Sequence, residues 1–330
     1  MRTKKASVRG RLMKDLIHDV METSLKDPIQ TGEFRKNPVE PAWKCPSGYQ
    51  YEIVDMGEFK MEYLKPSHVV TGRVILQLHG GGYIGPMKNI YRKFAVKYSE
   101  QSLGGDVLTI DYRVAPKHTH PAALEDAVRA YKWLLREKRY SPSQIVVAGD
   151  SAGGGLAMAL CMYLRDHKIP LPAGVLLMSP WTDLTCSGES YDTNYENDPL
   201  FGNSRESMLY HSSYIGDADP ENPYLSPVFG KYHKLPPMLF QVGSDEMLLS
   251  DTLRAVQKMR EAGRKCRLSV YDGMFHVFQM SLGLIPESRE AWEEAGHFIR
   301  IVCHIQRKTD GEVIRSIGKK IRKKRRKFSK

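Results

Sequence analysis

Short apolar runs that alternate with helical patterns organise the chain from residue 51 onward. Seven β-rich runs predict strands at Tyr51–Val54, Arg73–Leu78, Val107–Tyr112, Gln144–Ala148, Gly174–Met178, Met238–Val242 and Arg267–Tyr271. Helical patterns between them lie at Ile90–Gln101, Ala122–Lys138, Ser151–Asp166, Asp251–Ala262 and Glu287–Ile305. The later strand runs are almost wholly apolar, which is typical of strands buried on both faces. This alternation predicts an α/β fold with a mainly parallel central sheet flanked by helices.

Two segments depart from this alternation, residues 1–49 and residues 183–230. The first opens with apolar residues at steps of three and four, which predict a helix with one apolar face packed against the rest of the fold. These residues are Val8, Leu12, Met13, Leu16, Ile17, Val20 and Met21. The second is turn-rich, with a helix-like piece near Ser204–Ile215, and is far longer than a usual connection. We expect both segments to form a cap over the core, residues 50–182 and 231–307, at the sheet edge where ligands of such folds bind.

Composition places the chain in the ordinary globular class. Of its 330 residues, 41% are hydrophobic and 26% are charged, and its apolar runs are shorter than the roughly 20 residues of a membrane-spanning helix. The basic N-terminus lacks the continuous apolar core of a secretory signal. The five cysteines are scattered without a C-x-x-C pair, which indicates reduced thiols. A cytoplasmic location is therefore expected.

The net charge of +11 is concentrated at the C-terminus. Between Lys319 and Lys330 there are nine Lys or Arg residues and no acidic residue, and the rest of the chain carries 40 basic against 38 acidic residues, a net charge of +2. We expect residues 308–330 to be a solvated, disordered tail, because runs of like charge repel one another. A tail that makes weak contact with an anionic membrane or with nucleic acid is the alternative. No specific nucleic-acid partner is expected.

The strongest chemical signal is a G-x-S-x-G pentapeptide at residues 149–153, centred on Ser151. It follows a predicted strand and opens a predicted helix, and that context turns a weak pattern into a specific one. Small residues on both sides allow the sharp turn that presents a nucleophilic Ser Oγ at the sheet edge. The alternative interpretation is a glycine-rich turn without chemistry.

A second signal, His79 followed by three glycines, comes directly after the strand Arg73–Leu78. Accessible backbone N–H groups in such a loop can stabilise the oxyanion of a tetrahedral intermediate. We assign Gly81, Gly82 and Ala152, the residue after the serine, as the donors. A flexible loop or a phosphate cradle are the alternatives, but the glycines lack the spacing and the Lys-Ser/Thr of nucleotide sites. His79 is expected to hold the loop in place.

A nucleophilic serine needs a base and an orienting acid. Asp245 follows the strand Met238–Val242, and His276 lies in the loop after the last strand, so both are predicted at the same edge as Ser151. Glu246 is the competing carboxylate, and Asp251 is expected to be a helix N-cap. The chain order Ser151, Asp245, His276 is that of α/β hydrolases.

Together these residues resemble the hormone-sensitive-lipase-type esterases, the carboxylesterases and acetyl esterases of the α/β-hydrolase fold. The resemblance runs from about Leu76 to Phe278. Its motifs are HGGGY, DYRVAPKHTHPAALED, GDSAGGGLA, SPWTDLT, GSDEMLLSD and DGMFHVF. It implies that Ser151, Asp245 and His276 are catalytic, that the HGGG loop forms the oxyanion hole and that a helical cap covers the site. It says nothing about the basic tail.

The expected activity is hydrolysis of short-chain, acetyl-like carboxylic esters through an acyl-enzyme on Ser151, without a cofactor or a metal. A small-molecule ester is the expected partner, and the resemblance implies a possible homodimer. The alternatives are a catalytically silent ligand-binding protein of the same fold and a lipase acting on longer chains.

Overall fold

The fold was obtained as a computed structural model that describes residues 5–21, 40–69, 71–202 and 205–304. The basic tail, and with it the predicted disorder of residues 308–330, lies outside the described residues. Within them the chain forms eight strands and seven helices. The strands are β1 (Tyr49–Asp55), β2 (Lys60–Pro66), β3 (Val74–Leu78), β4 (Asp106–Asp111), β5 (Ile145–Asp150), β6 (Gly174–Met178), β7 (Met238–Gly243) and β8 (Cys266–Tyr271). The helices are α1 (Val8–Val20), α2 (Asn89–Gln101), α3 (Ala122–Arg136), α4 (Ala152–Asp166), α5 (Ser190–Thr193), α6 (Leu249–Glu261) and α7 (Pro286–Val302).

All eight strands form one sheet in the order β1-β2-β4-β3-β5-β6-β7-β8. The pairs β1–β2 and β2–β4 are antiparallel and the other five are parallel, so the predicted mainly parallel sheet is confirmed. Every residue of β3, β5, β6 and β7 is buried. This accounts for the unbroken apolar runs in these strands, because helices cover both faces of the sheet.

The sequence patterns did not predict β2, whose sequence KMEYLKP breaks any apolar run with a glutamate. Glu62 is nonetheless buried in this strand, where the Arg92 guanidinium of α2 holds it with two hydrogen bonds of 2.6 and 2.8 Å. A buried carboxylate is tolerated when it is paired in this way. The partner lies 30 positions away, so the local pattern could not reveal it.

Helices pack on both faces of the sheet and create two apolar cores. On one face α2 and α7 bring Phe94, Tyr98 and Trp292 into edge-to-face contact against the strands. On the other face α3, α4 and α6 bury small and branched side chains in the larger core. No helix within the described residues is long and apolar enough to cross a membrane.

The two segments expected to form a cap differ in detail from their predicted structure. α1 forms as predicted, but only Met13 and Ile17 of its apolar residues pack on a core cluster, and Val8, Leu12, Leu16 and Val20 are exposed. The expectation of one buried apolar face is therefore wrong for those four residues. The predicted helix near Ser204–Ile215 is also wrong, since residues 205–215 form turns and bends without a helix; Ser204 itself lies outside the described residues.

Candidate active site

Ser151 lies in the sharp turn between β5 and α4. Its backbone adopts φ 53° and ψ −124°, a conformation that a non-glycine residue rarely holds. The flanking glycines are required by close packing. A Cβ on Gly149 would lie 2.2 Å from the Gly153 carbonyl oxygen, and one on Gly153 would lie 2.1 Å from that of Leu78. The tight turn leaves Ser151 7% exposed, facing a pocket.

His276 lies in the loop between β8 and α7, and its imidazole meets the serine. Its Nε2 is 2.9 Å from Ser151 Oγ, although 125 positions separate the two residues in the chain. Because β5 and β8 are parallel strands of one sheet, the loops after them emerge at the same edge. The sequence-predicted Ser151 and His276 are thus in direct contact.

The other imidazole nitrogen contacts Glu246. His276 Nδ1 lies 2.8 Å from Glu246 Oε2, and the glutamate side chain is fully buried. The second carboxylate oxygen, Oε1, accepts hydrogen bonds from Ser179 Oγ at 2.8 Å and from the Gly243 backbone N–H at 2.6 Å. Every carboxylate oxygen therefore has a partner, as burial of an ionised group requires.

The expectation that Asp245 contacts His276 is wrong. Asp245 turns away from the imidazole, and its Oδ2 lies 2.5 Å from the Lys14 ammonium of α1. Its other oxygen accepts a hydrogen bond from Ser244 Oγ at 2.7 Å. The physical reason lies in the turn after β7. The Gly243 N–H and the Ser179 hydroxyl both donate to Glu246, which holds that carboxylate at the end of the strand. Asp245 therefore lies on the outer side of the turn.

Ser179 was not singled out by the sequence, although it stands in the SPWTDLT motif directly after β6. Its buried hydroxyl donates to Glu246 and accepts from the Val277 N–H at 3.1 Å, so it links the carboxylate to the loop that carries His276. The sequence did offer one signal for this role, because Ser179 directly follows a buried strand at the sheet edge where the catalytic residues were predicted. A bond to Glu246, 67 positions away, could not be read from it.

Asp251 does not cap a helix, contrary to expectation. α6 begins at Leu249, and the Asp251 Oδ2 accepts hydrogen bonds from the N–H groups of Thr182 at 2.7 Å and Asp183 at 2.8 Å. Burial, followed by the charge of Asp183, raises the pKa of Asp251 well above its usual value. The residue thus fixes the start of the inserted segment.

Three glycines of the HGGG loop, which follows β3, line the same pocket as Ser151. Gly81 and Gly82 have φ of 115° and 63°, which favours glycine at both positions. His79 is fully buried: its Nδ1 is 2.7 Å from the Gly80 carbonyl oxygen, and its ring stacks on Tyr112 at 4.1 Å. Ala152 is the first residue of α4, where a backbone N–H has no acceptor within the helix.

Asp150, the residue before the serine, is a buried carboxylate in the pocket wall. Its Oδ1 accepts a hydrogen bond from the Gly80 N–H at 3.2 Å, and its Oδ2 accepts one from Tyr91 Oη at 3.3 Å. Burial raises the pKa of Asp150 to about 7, against the opposing effect of a charge on His276. The carboxylate ties the HGGG loop to the serine turn.

The pocket in front of Ser151 has a volume of about 270 Å³ and a largely apolar wall. Leu200, Phe201 and Met208 come from the inserted segment 183–230, and Met21 comes from the N-terminal segment. The Phe201 ring meets the His276 ring edge-on at 5.0 Å. A larger cavity of about 560 Å³ lies between residues 5–7, β8 and α7 and is lined by none of these residues. In the described residues no group of three or more His, Cys, Asp or Glu is arranged to hold a metal ion.

The chain is similar to known ester hydrolases in sequence. The α/β hydrolase fold family matches residues 75–280. An acetyl-hydrolase of Streptomyces hygroscopicus is 37% identical over 249 residues, which cover 76% of this chain and 82% of that protein.

Solved structures show the same likeness. The esterase EstE5, whose crystals were soaked with p-nitrophenyl butyrate, superimposes with a TM-score of 0.79 at 33% identity, over 91% of this chain and 100% of that one. An esterase of the bacterial hormone-sensitive lipase family gives a TM-score of 0.78 at 32% identity, over 90% of this chain and 99% of that one. With the predicted fold confirmed by the sheet and by these matches, the chain belongs to the hormone-sensitive-lipase-type esterases of the α/β-hydrolase fold and is a carboxylic-ester hydrolase.

Proposed function

We propose that this enzyme hydrolyses short-chain acyl esters through an acyl-enzyme on Ser151, with His276 as the base and Glu246 as the acid that orients it. The observation that carries the proposal is the continuous contact from Ser151 Oγ through His276 to Glu246, at 2.9 and 2.8 Å, beside an apolar pocket. The spacing suits a nucleophile and its base.

The catalytic cycle follows from the two imidazole contacts. With a proton on Nδ1 donated to Glu246, His276 Nε2 accepts the Ser151 proton as Oγ attacks the ester carbonyl. The imidazolium then protonates the leaving alcohol as the C–O bond breaks. Water, deprotonated by the same imidazole, attacks the acyl-enzyme, releases the carboxylic acid and restores Ser151.

The oxyanion of each tetrahedral intermediate is stabilised by the backbone N–H groups of Gly81, Gly82 and Ala152. Loss of a single donor of this kind typically costs about 10²–10³-fold in rate. The Gly80 N–H is not assigned to the oxyanion hole, because it donates a hydrogen bond to Asp150. Asp150 acts as a positioning residue for the loop.

Pocket size supports the short-chain preference. A volume of about 270 Å³ lies just below the range of about 300–1,000 Å³ typical of drug-sized ligands. Leu200, Phe201 and Met208 line the pocket, and Met208 packs against Gly82 of the HGGG loop, which leaves room for a small acyl group. The segments 1–49 and 183–230 act as a cap in this proposal.

The test is hydrolysis of p-nitrophenyl acetate, butyrate, octanoate and palmitate by the wild-type protein and by Ser151→Ala. We expect turnover of the short esters that falls with chain length and is lost in the variant. A folded Ser151→Ala protein that keeps wild-type turnover would refute the nucleophile. Turnover of palmitate alone would replace the short-chain substrate with a lipase substrate.

The nucleophilic hydroxyl is tested separately by mass spectrometry. Phenylmethylsulfonyl fluoride sulfonylates an activated serine with loss of fluoride, so we expect one covalent adduct on the wild-type protein and none on Ser151→Ala. An adduct that persists in the variant would place the reactive hydroxyl elsewhere.

A further inference from the structure

The outward face of α1 carries a stripe of exposed apolar side chains. Val8, Leu12, Leu16 and Val20 are 64%, 62%, 57% and 44% exposed, and a spacing of four residues aligns them along one side of the helix. Four of the eight large hydrophobic side chains that are exposed in the described part of the chain belong to this one helix. A concentration of this kind marks an interaction surface.

The helix cannot bury this stripe by rotating, because its inward face is already engaged. Met13 and Ile17 pack against the cluster of Met274, Phe275 and Ile285. At the start of the helix, Ser7 Oγ donates to Glu287 Oε2 at 3.1 Å and accepts from the Gly10 N–H at 3.0 Å. Midway along, Lys14 pairs with Asp245 at 2.5 Å. The stripe is therefore held outward by contacts on the opposite face.

Positive charge accompanies the stripe. Residues 1–14 contain six Lys or Arg residues and no acidic residue; Lys5, Arg9 and Arg11 are exposed, whereas Lys14 is paired with Asp245 on the inward face. Asp15 and Asp19 follow only in the second half of the helix. Exposed leucines beside Lys and Arg on a helix that lies flat on the protein are the pattern of helices that bind at the surface of anionic bilayers.

The small size of the surface favours a lipid over a second protein copy. A standard protein–protein interface engages about 20–30 residues and about 800 Å² on each side. The stripe offers four apolar residues on three helical turns. A bilayer surface can accept so few residues, because shallow burial of side chains and attraction to anionic headgroups add together.

The stripe is continuous with the wall of the active-site pocket. α1 leads directly into Met21, which lines the pocket that contains Ser151 and His276. We propose that the outward face of α1 docks the enzyme on anionic lipid bilayers, with the pocket close to the membrane surface. This docking is independent of the acyl preference proposed above.

The experiment measures co-sedimentation of the full chain with vesicles of phosphatidylcholine containing 30% phosphatidylglycerol, and with vesicles of phosphatidylcholine alone. The test variant is Leu12→Ser/Leu16→Ser. The matched control is Ile53→Ser/Leu253→Ser, which removes two exposed apolar side chains from β1 and α6 (58% and 37% exposed). All proteins are also assayed on soluble p-nitrophenyl butyrate, so that a failure of docking is separated from a failure of ester hydrolysis.

We expect the wild type and the control to bind the anionic vesicles, and the stripe variant to bind at least about tenfold more weakly with unchanged hydrolysis of the soluble ester. Equal binding by wild type and stripe variant would overturn the proposal and assign any attachment to the basic tail. Absence of binding by the wild type would also overturn it. A dimer in light scattering that the stripe variant alone abolishes would show that a second copy covers the stripe instead.

A second readout locates the contact. In Leu16→Trp, bilayer burial shifts the indole emission to shorter wavelength, and brominated lipids quench it beyond the quenching of the wild-type protein. The control Ile53→Trp is expected to show neither change. Equal quenching of both variants would contradict docking through α1.

Discussion

Two adjacent carboxylates, Asp245 and Glu246, have different surroundings and should respond differently to neutralisation. Glu246→Gln removes the charge that orients and stabilises the imidazolium of His276, so we expect kcat to fall by about 10³–10⁴-fold. Asp245→Asn removes a partly exposed ion pair with Lys14, and we expect a change of less than about tenfold. Both are checked by steady-state hydrolysis of p-nitrophenyl butyrate. A larger loss in Asp245→Asn would restore the assignment made from the sequence.

The protonation of a single buried residue, Asp150, should make the stability of the fold depend on pH. Its pKa is raised to about 7 by burial, so between pH 4 and 7 the folded state keeps a proton that the unfolded state releases. Stability contributed by this group therefore decreases as pH rises through that window, by at most about 1.4 kcal/mol per pH unit, and levels off above pH 7.

Asp150→Asn, which cannot titrate, isolates this effect. We expect the unfolding free energy of the variant to increase relative to that of the wild type as pH rises from 5 to 7, and the further increase from pH 7 to 8 to be much smaller. Urea unfolding at pH 5, 6, 7 and 8 measures it. A difference independent of pH would show that Asp150 is already ionised throughout.

At the scale of elements, the packing of α4 against the strand ends depends on glycine. Gly153→Ala would force a Cβ into the backbone carbonyls of Leu78 and His79, at 2.1 and 2.5 Å. Since backbone cannot move aside as a side chain can, we expect a loss of about 3 kcal/mol or more of unfolding free energy. Gly174→Ala is the control, because the atoms nearest to its Cβ would be the side-chain ends of Phe298 and Val302, at 3.0 and 3.1 Å.

Thermal and urea denaturation compare the two variants. We expect a clear drop in melting temperature for Gly153→Ala and a small one for Gly174→Ala. Hydrolysis should fall with Gly153→Ala even where the protein stays folded, because the helix and the HGGG loop meet at that contact. Equal melting temperatures would argue that the strand ends can separate to admit the methyl group.

At the scale of the whole molecule, the excess positive charge of the chain and the candidate catalytic residues lie in separate parts of the sequence. Deleting Lys319–Lys330 lowers the net charge from +11 to +2 and removes none of the residues that form the sheet, the two cores or the pocket. We expect the melting temperature and the hydrolysis of p-nitrophenyl butyrate to be unchanged. The control replaces the nine basic residues with Gln and keeps the chain length. Loss of folding in the deletion but not in the control would mean that the tail contributes to the fold.

The sequence by itself determined the α/β class, the parallel strands and the positions of Ser151 and His276. These features depend on local information: a fully apolar run predicts a strand covered on both faces, and a G-x-S-x-G between strand and helix requires a specific turn. Because parallel strands end at one edge, two residues 125 positions apart could be assigned to one site before any distance was known.

Only the tertiary structure decided between Asp245 and Glu246, revealed β2 and showed which apolar side chains of α1 stay exposed. In each case the deciding contact comes from a distant part of the chain. Ser179 engages Glu246, Lys14 engages Asp245, and Arg92 pairs with Glu62 in β2. The direction of a side chain at a turn, or around a helix, depends on which partner satisfies its charge or buries its apolar surface, and periodicity along the sequence carries no information about that partner.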